Sequence, residues 1–506
     1  MAAALNPRRL LVSATHKSSG KTTIAIGLCR AFRDRGLAVQ AFKKGPDYID
    51  PMWLTTATGR RCRNLDPYLS DAAEYRGAFR RHAAAADVCV VEGNKGLYDG
   101  LALDGSNSNA ALAKALGLPV VLVIDARGMT RGIAPLILGY QAFDRDVKFA
   151  GVVLNNLGGS RHEAKLRMVV EHYTDMRVLG AVHHDPRLEI AERHLGLTPS
   201  NEADGAEQRV AAIGAIVGAQ VDLDELLRVA ADVPPLAIPG DAVADPYPPA
   251  AAPDLRIGVL QDRAFGFYYA DDLDALRAAG ATLVGVDALN DAQLPSVDGL
   301  FIGGGFPELY AAELEANAAL RTRIRAAIDT GLPVYAECGG LMYLARTLTH
   351  KGQTYKMVGA IPGDVVMHER PVGRGYVNLE ESADFPWPEA KAKPEAATAM
   401  AAAAGMATGT GGAAVRAHEF HYSSLENLPA DLHYAYTVKR GHGVDGRRDG
   451  IVVQNVLASY AHLRSAGGNA WAARFVDFVR HADYRLRRQD NIVYLSPSRG
   501  REAMVL

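Results

Sequence analysis

Two three-layer α/β domains in one chain are what this sequence predicts, and three observations predict it. Short β-branched runs alternate with helical segments from Leu10 to about His183, the alternation resumes at Leu255, and a proline- and alanine-rich stretch separates the two. Strands that are apolar along their whole length and separated by helices belong to parallel sheets covered on both faces. At 506 residues the chain exceeds what one hydrophobic core supports, and 48% apolar residues are enough for each domain to bury its own.

In the first half the strand candidates are LLVSA, VCVVEG, PVVLVID, AGVVLNN and VLGAV, and TTIAIGLCRAFRDRG reads as a helix ended by a glycine. This domain is expected over 8–230, followed by a linker over 231–253 (PPLAIPGDAVADPYPPAAAP at its centre). The second domain, 254–482, carries LRIGVLQD, TLVGV, GLFIGGG and PVYAECGG, and reads as mostly sheet with flanking helices. Residues 389–414 are low in complexity and poor in large apolar side chains, which predicts a surface insertion. The tail, 483–506, has no pattern that assigns it a role.

Charge and cysteine content exclude several classes. Lys+Arg 55 against Asp+Glu 57 favours neither nucleic acid nor a membrane surface. The cysteines, Cys29, Cys62, Cys89 and Cys338, are scattered without metal-ligand spacing, which suits a reducing compartment. The basic N-terminal residues lead through a short apolar run into SSGKTT with no cleavage-site pattern, and no apolar stretch is long enough to span a bilayer, so a cytoplasmic protein is expected. Size and charge are compatible with a monomer or a homodimer.

Gly20-Lys21-Thr22 follows a strand and opens a helix, the context a phosphate-cradling loop requires. Helix N–H groups and Lys21 would neutralise phosphate charge, and the Thr22 hydroxyl can ligate Mg²⁺. Ser18, Ser19, Gly20, Lys21, Thr22 and Thr23 are therefore the candidate ATP contacts. Thr15 stands where such loops have their first glycine, and Ser18 and Ser19 stand where glycine is common. KKGPDYIDP and VVEGNKGLYDG place carboxylates just beyond predicted strands, at the edge where parallel sheets bind ligands. Asp47 and Glu92 are candidate metal ligands; Tyr48 and Asp99 are candidate substrate contacts. Asp50 reads more simply as a turn residue before Pro51. Asn155 either reads the base or caps the next helix.

Cys338 ends an apolar strand and is followed by Gly339-Gly340 and a helical run, a turn that exposes a nucleophile and lowers a thiol pKa. GGGFPE, Gly303 to Glu308, can supply backbone donors to an oxyanion. The base candidates are His418 and His421 in HEFHYSS, His442 in RGHGVDG and His462 in ASYAHLR.

SSGKTT, FKKGPDYIDP, CRNLDPYL, VVEGNKGLYDG and LNNLGGSRHEAKL together resemble the cobyrinate a,c-diamide synthase family, from about Leu10 to Arg480. The resemblance implies a P-loop NTPase-like domain similar to dethiobiotin synthetase, then a class I glutamine amidotransferase-like domain of the cobyrinate/cobyrate type. It implies His462 as the base, Gly304 and Gly305 as the oxyanion donors, and His418 and His421 as residues that shape the site. Arg464 stands where the family has a second histidine, and no third member of a Cys/His site is identifiable. The implied reaction is ATP- and glutamine-dependent amidation of the a and c acetates of a tetrapyrrole polycarboxylate through an acyl phosphate, with Mg²⁺. Cobyrinate or hydrogenobyrinate is the default ring. A sirohydrochlorin-type ring stays open, as does a non-catalytic nucleotide-dependent switch.

Overall fold

The computed structural model describes residues 6–193, 196–236, 252–388, 414–482 and Tyr484. Most of the expected linker, the insertion up to 413 and all of the tail except Tyr484 lie outside the described residues. The chain divides into two compact units, Met1–Asp245 and Pro246–Leu506.

The first unit is built on seven parallel strands: β1 (Arg8–Ala14), β2 (Val39–Lys44), β3 (Arg63–Leu65), β4 (Val88–Glu92), β5 (Val120–Asp125), β6 (Phe149–Leu157) and β7 (Val178–His183). Their order is 3-2-4-1-5-6-7, so β1 lies in the middle and is buried at every residue after Arg8. Helices α1 (Lys21–Asp34), α2 (Ile49–Thr58), α3 (Ala72–Ala83), α4 (Asn109–Leu116), α5 (Ile133–Phe143) and α6 (Ser160–Tyr173) connect them. A ribbon of β8 (Glu192–Arg193) and β9 (Gly196–Leu197), then α7 (Ala206–Gln220) and α8 (Leu223–Ala231), complete the unit. Helices α1 and α7 pack closely because glycine stands at the contact: a Cβ on Gly27 would lie 2.5 Å from Val217 Cβ, and one on Gly214 would lie 2.4 Å from Arg30 Cγ.

The second unit contains β10 (Leu255–Leu260), β11 (Phe265–Phe267), α9 (Ala270–Ala278), β12 (Ala281–Val286), β13 (Gly299–Ile302), β14 (Gly304–Gly305), α10 (Ala311–Ala316), α11 (Ala318–Asp329), β15 (Val334–Glu337) and α12 (Gly339–Leu344). Then come β16 (Thr347–His350), β17 (Gln353–Lys356), β18 (Asp364–Met367), β19 (Gly373–Glu381), β20 (Ala414–His421), β21 (Ser423–Glu426), β22 (His433–Arg440), β23 (Arg448–Val453), β24 (Val456–Ser459) and α13 (Trp471–His481). The main sheet runs 12-10-13-15-24-23-22-19-20. It is parallel as far as β24 and antiparallel beyond it. The sequence reading of strands with flanking helices holds for the parallel half only. Among the described residues between Thr347 and Val453 the regular elements are all strands, and a strand such as β20 is partly exposed, so its hydrophobic signal is diluted.

Stacking of Phe301 on Tyr335 (5.4 Å), with Trp471 of α13 against both, ties the middle of this sheet to its covering helix. Ala336, Glu337 and Cys338 follow Tyr335. Strand β24 pairs in parallel with β15, Glu337 opposite Ser459, so the residues just past Ser459 emerge beside Cys338.

Candidate active sites

In the first unit the phosphate-type loop lies between β1 and α1. Gly20 caps α1 at φ 80°, and Ser18 also has a left-handed φ of 63°, the conformation for which glycine is the usual residue. The Ser19 hydroxyl donates to His16 O (2.9 Å) and Asn155 Nδ2 donates to Ser19 O (3.0 Å). A Cβ on Gly20 would lie 2.1 Å from that same Nδ2, so only glycine fits here. Asn155 thus braces the loop from the end of β6.

Behind the loop the strand ends bring together a buried charge cluster. Thr22 Oγ1 donates to Glu92 Oε1 (2.6 Å) and to Asp50 Oδ2 (3.3 Å), and Lys21 Nζ lies 3.4 Å from Glu92. Lys43, at the end of β2, is buried and contacts Asp50 (2.5 Å), Glu92 (3.0 Å) and Asp47 (3.8 Å). Burial opposes the charge on Lys43, and the carboxylates Asp50, Glu92 and Asp47 outweigh it and raise its pKa. Desolvation and the Asp50 charge push Asp47 up, whereas on Asp50 desolvation is outweighed by Lys43 and Lys21, which hold it down. Lys44 points into different company, Asn94 Oδ1 and Asn107 O, and burial lowers it to about 8. Lys43 was not singled out from sequence. Asp50, read there as a turn residue, is in fact an acceptor for both Lys43 and Thr22. The available signal was a lysine pair closing an apolar strand.

Asp99 accepts from the Gly96 N–H (2.8 Å), and Tyr48 is buried at the start of α2. For Mg²⁺ the donor set fits. Glu92 Oε2 is buried with no hydrogen-bond partner, beside the Thr22 hydroxyl, and Mg²⁺ is held by one or two carboxylates plus hydroxyl, phosphate and water oxygens. Among the described residues no group of three or more His, Cys, Asp or Glu could hold a metal by itself, so nucleotide phosphates would have to share the ion.

In the second unit Cys338 sits between β15 and α12 at φ 47°, ψ −102°, a strained conformation for a residue with a side chain. Its N–H donates to Ser459 O (2.7 Å), and its buried Sγ lies 4.0 Å from Phe420 O. The second glycine after it is required by contact, since a Cβ on Gly340 would meet Ile302 O at 2.2 Å, and a Cβ on Gly339 would be tight against Gly305 N at 3.0 Å. Gly304 and Gly305 form β14 against β11, and a Cβ on Gly304 would lie 2.7 Å from His462 Cε1. Gly304 therefore lies against His462, and Gly305 against Gly339, the residue after Cys338.

His462 is delivered by the turn after β24. Buried Asp449 holds that turn, accepting from Ser459 Oγ (2.8 Å), Tyr460 N (3.0 Å) and Ala461 N (2.9 Å). The ring hydrogen-bonds Cys338, and its Nδ1 lies 3.2 Å from Glu337 Oε2. Burial works against a charged His462, but Cys338 and Glu337 outweigh it and raise the pKa to about 10. His418 stacks on His462 with centroids 4.8 Å apart, and burial, then the charges of His462 and Arg464, push it well below the ordinary range. His421 stacks on Tyr460 (3.9 Å) and contacts Ser423 O, and the His442 ring lies 6.1 Å from that of His421. Of the four histidines, only His462 is placed by a hydrogen bond on the thiol.

A phosphate-type loop with a buried acidic cluster, and a strained cysteine hydrogen-bonded to a histidine, define a glutamine-dependent amide ligase with a nucleotide-binding P-loop domain. Known proteins agree. Residues 10–197 match the CobQ/CobB/MinD/ParA nucleotide binding domain, and residues 256–470 match the CobB/CobQ-like glutamine amidotransferase domain. Cobyrinate a,c-diamide synthase of Magnetococcus marinus is 43% identical over 93% of this chain and 97% of its own length. The enzymes of that name from Methanosarcina acetivorans (42%; 93% and 95%) and Archaeoglobus fulgidus (39%; 92% and 96%) are similar over the same span. The chain belongs to the cobyrinate a,c-diamide synthase family, ligases of cobalamin biosynthesis. No helix among the described residues is long and apolar enough to cross a membrane.

Proposed function

We propose that this enzyme amidates the a and c acetate carboxylates of cobyrinate or hydrogenobyrinate, using ATP and glutamine. The observation that carries the reading is the Cys338–His462 hydrogen bond in a chain that also holds the Lys21–Thr22–Glu92 cluster. Cys338 has already given its proton to His462, and as the thiolate of that thiolate–imidazolium pair its Sγ attacks the glutamine side-chain carbonyl. The tetrahedral oxyanion is met by backbone N–H groups around Gly304 and Gly305. His462 then protonates the departing ammonia, and water hydrolyses the thioester to glutamate.

In the first unit a substrate carboxylate oxygen attacks the γ-phosphorus of ATP and ADP leaves, giving an acyl phosphate. Ammonia attacks the acyl carbon, phosphate departs, and a proton is lost to leave the amide. Activation is needed because a carboxylate resists ammonia until one oxygen becomes a leaving group. Ser18 to Thr23 cradle the phosphates, Lys21 neutralises their charge, and Thr22, Glu92 and Asp47 would hold Mg²⁺, which adds charge neutralisation when bound. Tyr48 and Asp99 are the proposed substrate contacts.

The test is mass spectrometry of cobyrinate, hydrogenobyrinate and sirohydrochlorin after incubation with enzyme, MgATP and glutamine. Two acid-to-amide conversions on a cobyrinate-type ring are expected. Conversion of sirohydrochlorin alone would move the substrate, and conversion of none with ATP hydrolysis intact would sink the reading.

A further inference from the structure

A cysteine–histidine pair needs something to fix the imidazole, and here the residue two places after the histidine cannot do it: Arg464 turns away to Asp271 (3.2 Å) and lies over the Tyr269 ring (5.0 Å). The group that meets His462 comes from the other side of the sheet register. Glu337, the residue immediately before the nucleophile, is buried and places Oε2 3.2 Å from His462 Nδ1. Its other oxygen, Oε1, accepts from the Tyr335 hydroxyl (2.6 Å) and from the Leu463 N–H (2.9 Å). Both oxygens are thus engaged, which locks the carboxylate's orientation. Tyr335 belongs to the aromatic core and Leu463 N–H to the turn carrying His462, so the carboxylate is referenced to both walls of the site.

We infer that Glu337 is the positioning residue of the glutamine-hydrolysing site, holding His462 by Nδ1 so that Nε2 is presented to Cys338 Sγ. This rests on the proposed glutaminase reaction and deepens it. The strand–turn arrangement allows it because β15 and β24 are parallel neighbours: the residue before the elbow and the residues after Ser459 leave the sheet at the same edge. An acid fixed on one imidazole nitrogen selects the tautomer and stabilises the imidazolium formed when sulfur gives up its proton.

The groups facing His462 are Cys338 at the elbow, Glu337 on β15, His418 on β20, Gly304 on β14, and Arg464 with Asp271 and Asp272 of α9 beyond its own turn. His418 bears a lowered pKa and Arg464 is paired with Asp271, whereas Glu337 is a carboxylate in direct contact with the ring.

The experiment is steady-state glutaminase kinetics across pH for the full-length wild type, Glu337→Gln, Glu337→Asp and Cys338→Ala, with ammonia-dependent amidation followed in parallel. Glu337→Gln is expected to lose on the order of 100-fold or more in kcat with little change in glutamine KM. The alkaline limb of its kcat/KM profile should move to lower pH, because the imidazolium has lost its counter-charge. Glu337→Asp should recover part of the rate, and ammonia-dependent turnover should be kept by all variants. Glu337→Gln with wild-type kcat and an unmoved alkaline limb would overturn the inference while leaving Cys338 as nucleophile. A Glu337→Gln that also loses ammonia-dependent turnover or its thermal transition would mark Glu337 as a structural brace and overturn it too. Wild-type protein without glutaminase activity would instead overturn the reaction on which the inference rests.

Discussion

In the first unit the reactive groups come from neighbouring strand ends and one loop, Lys21 to Glu92, and they meet as a cluster of opposite charges that neutralise one another. In the second they come from a span reaching from Gly304 to His462, and they meet as a cysteine against a histidine with a carboxylate behind the ring, the proposed nucleophile, base and positioning group. The difference follows from the ligand. A nucleotide phosphate brings its own charge, so its site can be a pool of cations and carboxylates that rearranges on binding. An amide is neutral, so its site must hold a prepared nucleophile in fixed geometry.

The comparison is broken most directly by separating the two nitrogen sources. Cys338→Ala should remove glutamine-dependent amidation by a factor on the order of 10⁴ or more while leaving amidation from added ammonium salt near the wild-type rate. Loss with both donors would mean that the units are not chemically separable. The complementary variant, Lys21→Ala, should lower amidation with either donor by on the order of 10²–10³ and leave glutamine hydrolysis measurable; an assay of glutamate release beside ADP release reads both. Preparedness of the thiol site is sharpened by Gly304→Ala. Its new Cβ would fall 2.7 Å from His462 Cε1, so the ring must shift, and roughly a 100-fold loss of glutaminase is expected with nucleotide turnover intact.

A smaller, graded effect is the pH response. His462 is raised from its ordinary 6.5 to about 10, so it stays charged until pH passes that value, and glutaminase kcat/KM should fall about tenfold per unit above it. For stability the sign is the same. The stabilisation from the raised pKa is full below about 6.5 and is lost as pH rises through about 10, which thermal melts of wild type against His462→Ala would reveal. The smallest change expected is Ser18→Gly. Relief of a left-handed serine, φ 63°, is offset by the backbone entropy of glycine, leaving stability within about 1 kcal/mol in a denaturant titration.

The apolar runs and the GKT and CGG motifs determined by themselves the two α/β units, the loop before α1 and the turn that carries Cys338, because each depends on residues adjacent in the chain: a strand, its turn and the next helix. The resemblance to the family supplied His462, which spacing alone left among four histidines. Tertiary structure decided the rest. Lys43 and Asp50 became site residues because β2 and β4 are neighbours that end at the same edge. The antiparallel half of the second sheet was hidden by half-exposed strands, and its strand β20 brings His418 onto His462. Glu337 reads in sequence as one more residue of an apolar strand. It meets His462 only because β24 lies beside β15 in parallel register, and no local pattern encodes which strand will be a neighbour.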